Sequence, residues 1–195
     1  MESPSLRSVL KKLLHELNCE DEIVKTDHAQ STSVVVQSLP QRVQTSLEAL
    51  HQIYPTVLLS SLDLLDNILV TRYIAQGNTE SHKPAPIYYV RSSQTRHSRY
   101  GGQAPRTVYE VRPVAWHCTC PSFTFSAFSS RNAFDPYECG EEDFPDGGHW
   151  GGEMRGGQLG ICKHLLAVVI GERLKMIPEK EVDMHTLAGY AFMEA

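Results

Sequence analysis

The sequence predicts an α+β fold, in which N-terminal helices precede a small antiparallel sheet and a strand–helix unit marked by cysteine and histidine. Apolar residues recur at helical spacing over residues 1–66, whereas segments rich in β-branched and aromatic residues follow Asn67. Two short Cys/His pairs then flank a glycine-rich stretch. We therefore divide the chain into a helical region (1–66), a sheet-containing domain (67–178) and a C-terminal segment (179–195).

Three helices are predicted in the helical region. The first covers residues 4–18, the second follows Pro40 and runs up to Pro55, and the third covers residues 58–66. The apolar stripe of the first helix admits two interpretations. It packs within the chain's own fold, or it docks on a partner subunit, because a short isolated helix is marginal alone. The candidate docking residues are Leu6, Leu10, Leu13 and Leu17.

Three strands are predicted next, over residues 68–74, 87–90 and 107–111, because these segments are rich in β-branched and aromatic residues. A further strand running through Val114 and Trp116 is expected to deliver the first cysteine pair. That pair then lies at a strand end.

Four residues have the composition and spacing of one tetrahedral zinc site: Cys118, Cys120, Cys162 and His164. Zn²⁺ favours thiolates and imidazole. Four protein ligands leave no open position for a water nucleophile, so the site is expected to be structural rather than catalytic. Residues i and i+2 of a strand project from one face, which lets Cys118 and Cys120 reach one metal. In a helix the same spacing diverges, so Cys162 and His164 converge only if Cys162 lies at a helix start.

A helix over residues 163–177 is predicted after Cys162, since an apolar face follows and Pro178 ends it. The positive end of its dipole is expected to lower the pKa of the Cys162 thiol. Pro121 suits the first turn of another short helix. Its phenylalanines either pack over the metal site as core or form a platform for stacking single-stranded bases. They are Phe123, Phe125 and Phe128.

The segments 118–123 (CTCPSF) and 162–167 (CKHLLA) resemble the SWIM zinc-finger pattern, in which a CxC pair and a CxH pair lie in a strand–strand–helix setting. With the segment 62–66 (LDLLD) and the strand at 88–90, they occur in the order found in the SWIM-domain subunits of Shu complexes. The resemblance extends over residues 58–177 and is strongest around the ligands.

This resemblance implies a non-enzymatic subunit that binds one structural Zn²⁺ through Cys118, Cys120, Cys162 and His164. It implies RecA-like recombinase paralogues as partners, in an obligate or near-obligate hetero-complex located in the nucleus. Such a complex promotes homologous recombination repair by aiding the assembly or stability of recombinase filaments on single-stranded DNA. One departure is the long acidic, glycine-rich insertion over residues 129–158, whose role the pattern leaves open.

Composition limits how the chain can contact DNA. With 195 residues, a formal net charge of -5 and a pI near 6.0, the chain is not expected to coat nucleic acid by itself, so DNA contact is local or made through the complex. A basic loop cluster either contacts phosphate or is a solvated loop. Its arginines are Arg91, Arg96, Arg99 and Arg106.

Cysteine usage predicts a reducing compartment, because the CxC and CxH pairs would form a poor disulfide framework. Cys19 and Cys139 remain after the four ligands are assigned. Cys139 and His149 lack paired spacing, so no second metal site is predicted. No apolar run approaches ~20 residues, and no signal peptide is apparent, so we expect an intracellular protein without membrane contact.

Enzymatic classes are disfavoured by the absence of their signatures from the sequence. It contains no Walker-type loop, HExxH pair, nucleophile elbow or PCxxC deaminase motif. Two other functions stay open at this point: an autonomous DNA-binding zinc module and an adaptor in a ubiquitin-ligase assembly.

Overall fold

The computed structural model of the chain describes residues 6–17, 39–76, 85–93, 107–128, 160–183, 185–187 and 189. Its helices and five-stranded mixed sheet confirm the predicted α+β class. None of the helices in this described part combines the length and apolar character needed to cross a membrane.

Three helices form the N-terminal part, as predicted: α1 Leu6–Glu16, α2 Gln41–Ile53 and α3 Pro55–Asp66. Helix α2 begins directly after Pro40, and α3 begins at Pro55, three residues before the predicted start, because proline is tolerated at the first helical position. The hydroxyl of Ser46 on α2 donates a hydrogen bond of 2.9 Å to Glu16 Oε2, which joins α2 to α1.

The strands of the sheet are β1 Val70–Ala75, β2 Ile87–Arg91, β3 Val108–Arg112, β4 His117–Cys118 and β5 Glu179–Val182. Their order in the sheet is β4-β3-β2-β1-β5. The first four strands pair antiparallel, as predicted, whereas β5 joins β1 in parallel and was not predicted. The guanidinium of Arg72 on β1 lies 2.9 Å from the Glu179 carboxylate on β5, across this parallel pair.

The predicted strand through Val114 and Trp116 is wrong. These residues form a turn in which the Trp116 N–H donates to the Pro113 carbonyl at 2.9 Å, and Trp116 has a φ of 46°. A left-handed residue cannot continue a strand, so pairing resumes only at His117. The turn lets the chain double back onto β3 within a few residues.

One apolar cluster joins the helices to the sheet and surrounds the cysteine pairs. Two further helices belong to this part, α4 Pro121–Phe128 and α5 Lys163–Arg173, and α5 packs against α3 on one side and β3 on the other. Ser61 of α3 is fully buried and donates a hydrogen bond of 2.9 Å to the carbonyl of Lys163. The start of α5 is therefore fixed against α3.

Candidate metal centre

The four predicted ligands lie together in the interior. Their candidate ligand atoms are all within 4.8 Å of one another, and all four side chains are buried. His164 Nδ1 lies 4.0 Å from Cys118 Sγ. Tetrahedral zinc, with Zn–S about 2.3 Å and Zn–N about 2.0 Å, needs ligand atoms about 3.5–3.8 Å apart. Small side-chain adjustments suffice for the four donors to enclose a metal ion.

The first pair comes from the end of β4 and the start of α4. Cys118 lies opposite Val111 in the sheet, and Thr119 turns to solvent while exchanging two 3.0 Å hydrogen bonds with the backbone of Glu110. Cys120 then precedes α4, where its sulfur accepts a hydrogen bond of 3.3 Å from the Phe123 N–H. The i, i+2 spacing places both sulfurs on one side, as predicted.

The second pair comes from the start of α5. Cys162 has extended dihedral angles, φ -138° and ψ 164°, and its sulfur accepts a hydrogen bond of 3.4 Å from the Leu165 N–H. His164, in the first turn, can therefore converge on the same point. The helix begins where the sequence predicts but ends at Arg173, short of the predicted 177.

Two helix starts thus face the sulfurs, and each presents a backbone N–H to one of them. Thiolate sulfur accepts such bonds, and the positive ends of α4 and α5 favour negative charge at this point. Three thiolates around a divalent ion carry one net negative charge, which these helix ends offset.

Hydrogen bonding among the thiols sets their protonation. Bonds from the Cys118 and Cys162 thiols lower the pKa of Cys120, whereas donation to Cys120 raises the pKa of Cys118. For Cys162, a hydrogen bond from Cys118 favours the thiolate, but donation to Cys120 and burial prevail and raise its pKa to about 12. The helix start does lower the pKa of Cys162 through the hydrogen bond from the Leu165 N–H, as expected, but the neighbouring Cys120 and burial outweigh this effect.

Three contacts hold the segment before Cys162 against the rest of the site. The Trp116 indole N–H donates a hydrogen bond of 2.8 Å to the Gly160 carbonyl, and the Ile161 N–H donates one of 3.0 Å to Ser126 Oγ on α4. Gly160 lies so close to Ala127 that a Cβ built on it would come within 2.8 Å of the Ala127 Cβ. These contacts help to bring the second ligand pair to the first.

Gly160→Ala is expected to lower the free energy of unfolding by about 1–3 kcal/mol, because the added Cβ would overlap Ala127. Its nearest neighbours include the Ala127 backbone Cα at 2.9 Å, which cannot swing aside as a flexible side chain can. Urea unfolding measures the effect. Gly189→Ala is the matched control, since no described atom lies within 4 Å of its Cβ, and it should stay within about 0.5 kcal/mol of the parent protein. Equal unfolding midpoints for the two variants would contradict the close packing of Gly160 against Ala127.

The phenylalanines of α4 differ in how far their side chains are buried. Phe123 is buried and lies edge-on to His117, with ring centroids 5.7 Å apart. Phe125 is 78% exposed, so its assignment to the core is wrong; residues two apart on a helix lie on nearly opposite sides. The side chain of Phe128 lies outside the described residues.

The other predicted site residues are spread over the molecule. Arg91 is exposed at the end of β2 and donates a hydrogen bond of 3.1 Å to the Ile68 carbonyl. Of the candidate docking stripe, Leu10 and Leu17 are fully buried in the chain's own core, and Leu13 is half-buried. The predictions that lie outside the described residues concern the Leu6 side chain, Arg96, Arg99, Arg106, Cys139, His149 and the insertion 129–158.

Sequence reasoning missed two aromatic residues of the site. Trp116 is 1% exposed and binds Gly160, while Tyr109 on β3 stacks on the His164 imidazole with ring centroids 4.5 Å apart. Tyr109 and Val111 share one strand face, so the alternation of β3 together with the pairing of Val111 and Cys118 would have placed Tyr109 near the site.

Comparisons with known proteins add no relative. A scan against models of protein families gave no match, and a search of curated proteins also gave none. The site itself therefore carries the functional argument.

Proposed function

We propose that this protein is a zinc-stabilised, non-enzymatic adaptor subunit of a Shu-type complex that promotes homologous recombination repair. The observation that carries the proposal is the buried cluster of three cysteines and one histidine, which come from two chain segments with 41 residues between Cys120 and Cys162. This donor set suits Zn²⁺, for which Cys₃His is an established structural ligand combination.

The chemistry of the site supports a structural role. Four buried protein ligands fill the tetrahedral positions and leave none for a substrate or a nucleophilic water. Bound zinc would join the end of β4 and the start of α4 to the start of α5, across the long segment between them. Such a crosslink would fix the corner formed by β4, α4 and α5 as a rigid unit that partner subunits can recognise.

The recombination role rests on the resemblance to the SWIM pattern together with the setting of its ligands. The CxC pair lies at a strand end and the CxH pair at a helix start, as the SWIM arrangement requires. We propose RecA-like recombinase paralogues as partners and the nucleus as the location. In this proposal the complex aids recombinase filaments on single-stranded DNA, and DNA contact is made through the complex.

Affinity purification of the tagged chain from its own cells, followed by mass spectrometry, tests this function. We expect RecA-fold ATPases to co-purify with the parent protein and with Cys139→Ser, but not with Cys162→Ser, because loss of the metal disrupts the recognised corner. Recovery of ubiquitin-ligase subunits alone would overturn the proposal. So would tight, salt-dependent binding of DNA by the purified chain with no protein partner recovered.

A further inference from the structure

The imidazole of His164 presents its two nitrogens to different surroundings. Nδ1 lies 4.0 Å from Cys118 Sγ, whereas Nε2 is buried and has no hydrogen-bond partner in the described part of the chain. We infer that His164 ligates the metal through Nδ1 and that stacking on Tyr109, rather than a hydrogen bond donated by Nε2, holds the plane of the ring. The inference rests on the proposed zinc site and names a positioning residue for it.

A histidine ligand needs a second contact to fix its ring. Metal-bound histidines almost always donate their other N–H to a carboxylate, a carbonyl or a water, which sets both the tautomer and the ring plane. The torsion that turns the imidazole is otherwise broad. No described residue accepts a hydrogen bond from His164 Nε2, so within the described part of the chain the restraint on this torsion comes from packing against the ring.

Tyr109 is placed to provide that contact. Its ring centroid lies 4.5 Å from that of His164, with 34° between the ring planes, at the close end of the range for aromatic pairs. Partial rotation of the imidazole about its Cβ–Cγ bond would drive the ring edge into the tyrosine face. The contact therefore fixes the ring plane, and within that plane only the orientation that aims Nδ1 at the sulfurs offers a ligand, because a half-turn would place the carbon Cδ2 there.

The strand register explains why Tyr109 reaches this position. Val111 pairs directly with Cys118 across β3 and β4, and Tyr109 lies two residues earlier on the same face of β3. That face is the one against which α5, the helix carrying His164, packs. The same sheet thus supplies a ligand from β4 and a support for another ligand from β3.

Zinc affinity of purified variants, measured by competition with a chromophoric chelator, tests the inference. Tyr109→Leu should bind zinc about tenfold more weakly, at the lower end of the 10- to 100-fold range for lost supports of metal ligands. Tyr109→Phe keeps the ring and should stay within about twofold of the parent protein. Tyr73→Leu is the matched control, because Tyr73 is a half-buried sheet tyrosine that lies edge-on to Tyr89 rather than against His164.

A double-variant experiment separates ring orientation from general packing. In a His164→Cys background the fourth ligand is a sulfur with no ring to orient, so Tyr109→Leu should cause no further loss of zinc affinity. An equal loss in both backgrounds would show that Tyr109 only packs, and would overturn the inference.

Nuclear magnetic resonance gives a second readout that does not depend on the His164→Cys variant folding. In protein loaded with ¹¹³Cd, scalar coupling from the metal should appear at His164 Nδ1; coupling at Nε2 would refute the inference. The two proposals also fail differently. If the parent protein binds no zinc, the proposed site is contradicted. If the parent protein and Tyr109→Leu bind zinc with equal affinity, only the role of Tyr109 is contradicted.

Discussion

Replacing His164 by alanine or Cys162 by serine is expected to abolish stoichiometric zinc binding and to unfold the corner formed by β4, α4 and α5. Structural zinc contributes about 10–16 kcal/mol in apparent terms, which matches or exceeds the 5–15 kcal/mol net stability of a typical protein. The loss is large because each variant also leaves the three remaining buried ligands without the fourth.

Zinc content per chain by plasma mass spectrometry and thermal unfolding by circular dichroism measure this result. Cys139→Ser is the matched control, because it removes a cysteine that is not among the four clustered ligands and should retain one zinc ion per chain. Two zinc ions in the parent protein would contradict the prediction of a single site. A His164→Ala variant with full zinc content and an unchanged melting temperature would show that the cluster does not bind the metal.

The placement of each ligand pair could be predicted because it depends on local rules. Residues i and i+2 share a face in a strand but not in a helix, so the two pairs had to lie at a strand end and at a helix start. Both placements are found, with Cys118 on β4 and Cys162 as the residue that caps α5. Such rules need no knowledge of distant contacts.

The parts that the sequence did not predict depend on long-range contacts or on backbone geometry. Strand β5 is four residues long and mostly charged, and only its parallel pairing with β1 identifies it as a strand. The turn before β4 requires a positive φ at Trp116, a conformation that side-chain pattern does not indicate for tryptophan. The pKa of Cys162 depends on its thiol neighbours, which only the folded chain brings together.

Phe125 shows a different limit of reasoning from composition. An aromatic residue beside a metal site is usually core, but α4 is one short helix with one buried face. Phe123 occupies that face, so Phe125 is directed to solvent. The helical period would have distinguished the two residues if it had been applied within so short an element.

Trp116→Ala is expected to lower the free energy of unfolding by about 3–5 kcal/mol, the usual cost of truncating a fully buried tryptophan. The indole is 1% exposed, and its N–H is the described donor to the Gly160 carbonyl, at 2.8 Å. Its left-handed backbone conformation would cost about 1–2 kcal/mol, and it persists because burial of the side chain outweighs that strain. Urea unfolding of the zinc-loaded protein measures the loss.

Trp116→Phe separates packing from the hydrogen bond. It keeps most of the buried ring but removes the donor, and the unpaired Gly160 carbonyl should cost about 1–3 kcal/mol. Val114→Ala, in the same turn but 51% exposed, is the control and should change stability by no more than about 0.5 kcal/mol. Zinc affinity should fall together with stability in both tryptophan variants. Gly160 lies two residues before Cys162, so the hydrogen bond from the indole fixes the chain segment that leads to this ligand. If Trp116→Ala lost stability but kept full zinc affinity, the metal alone would be positioning the second ligand pair.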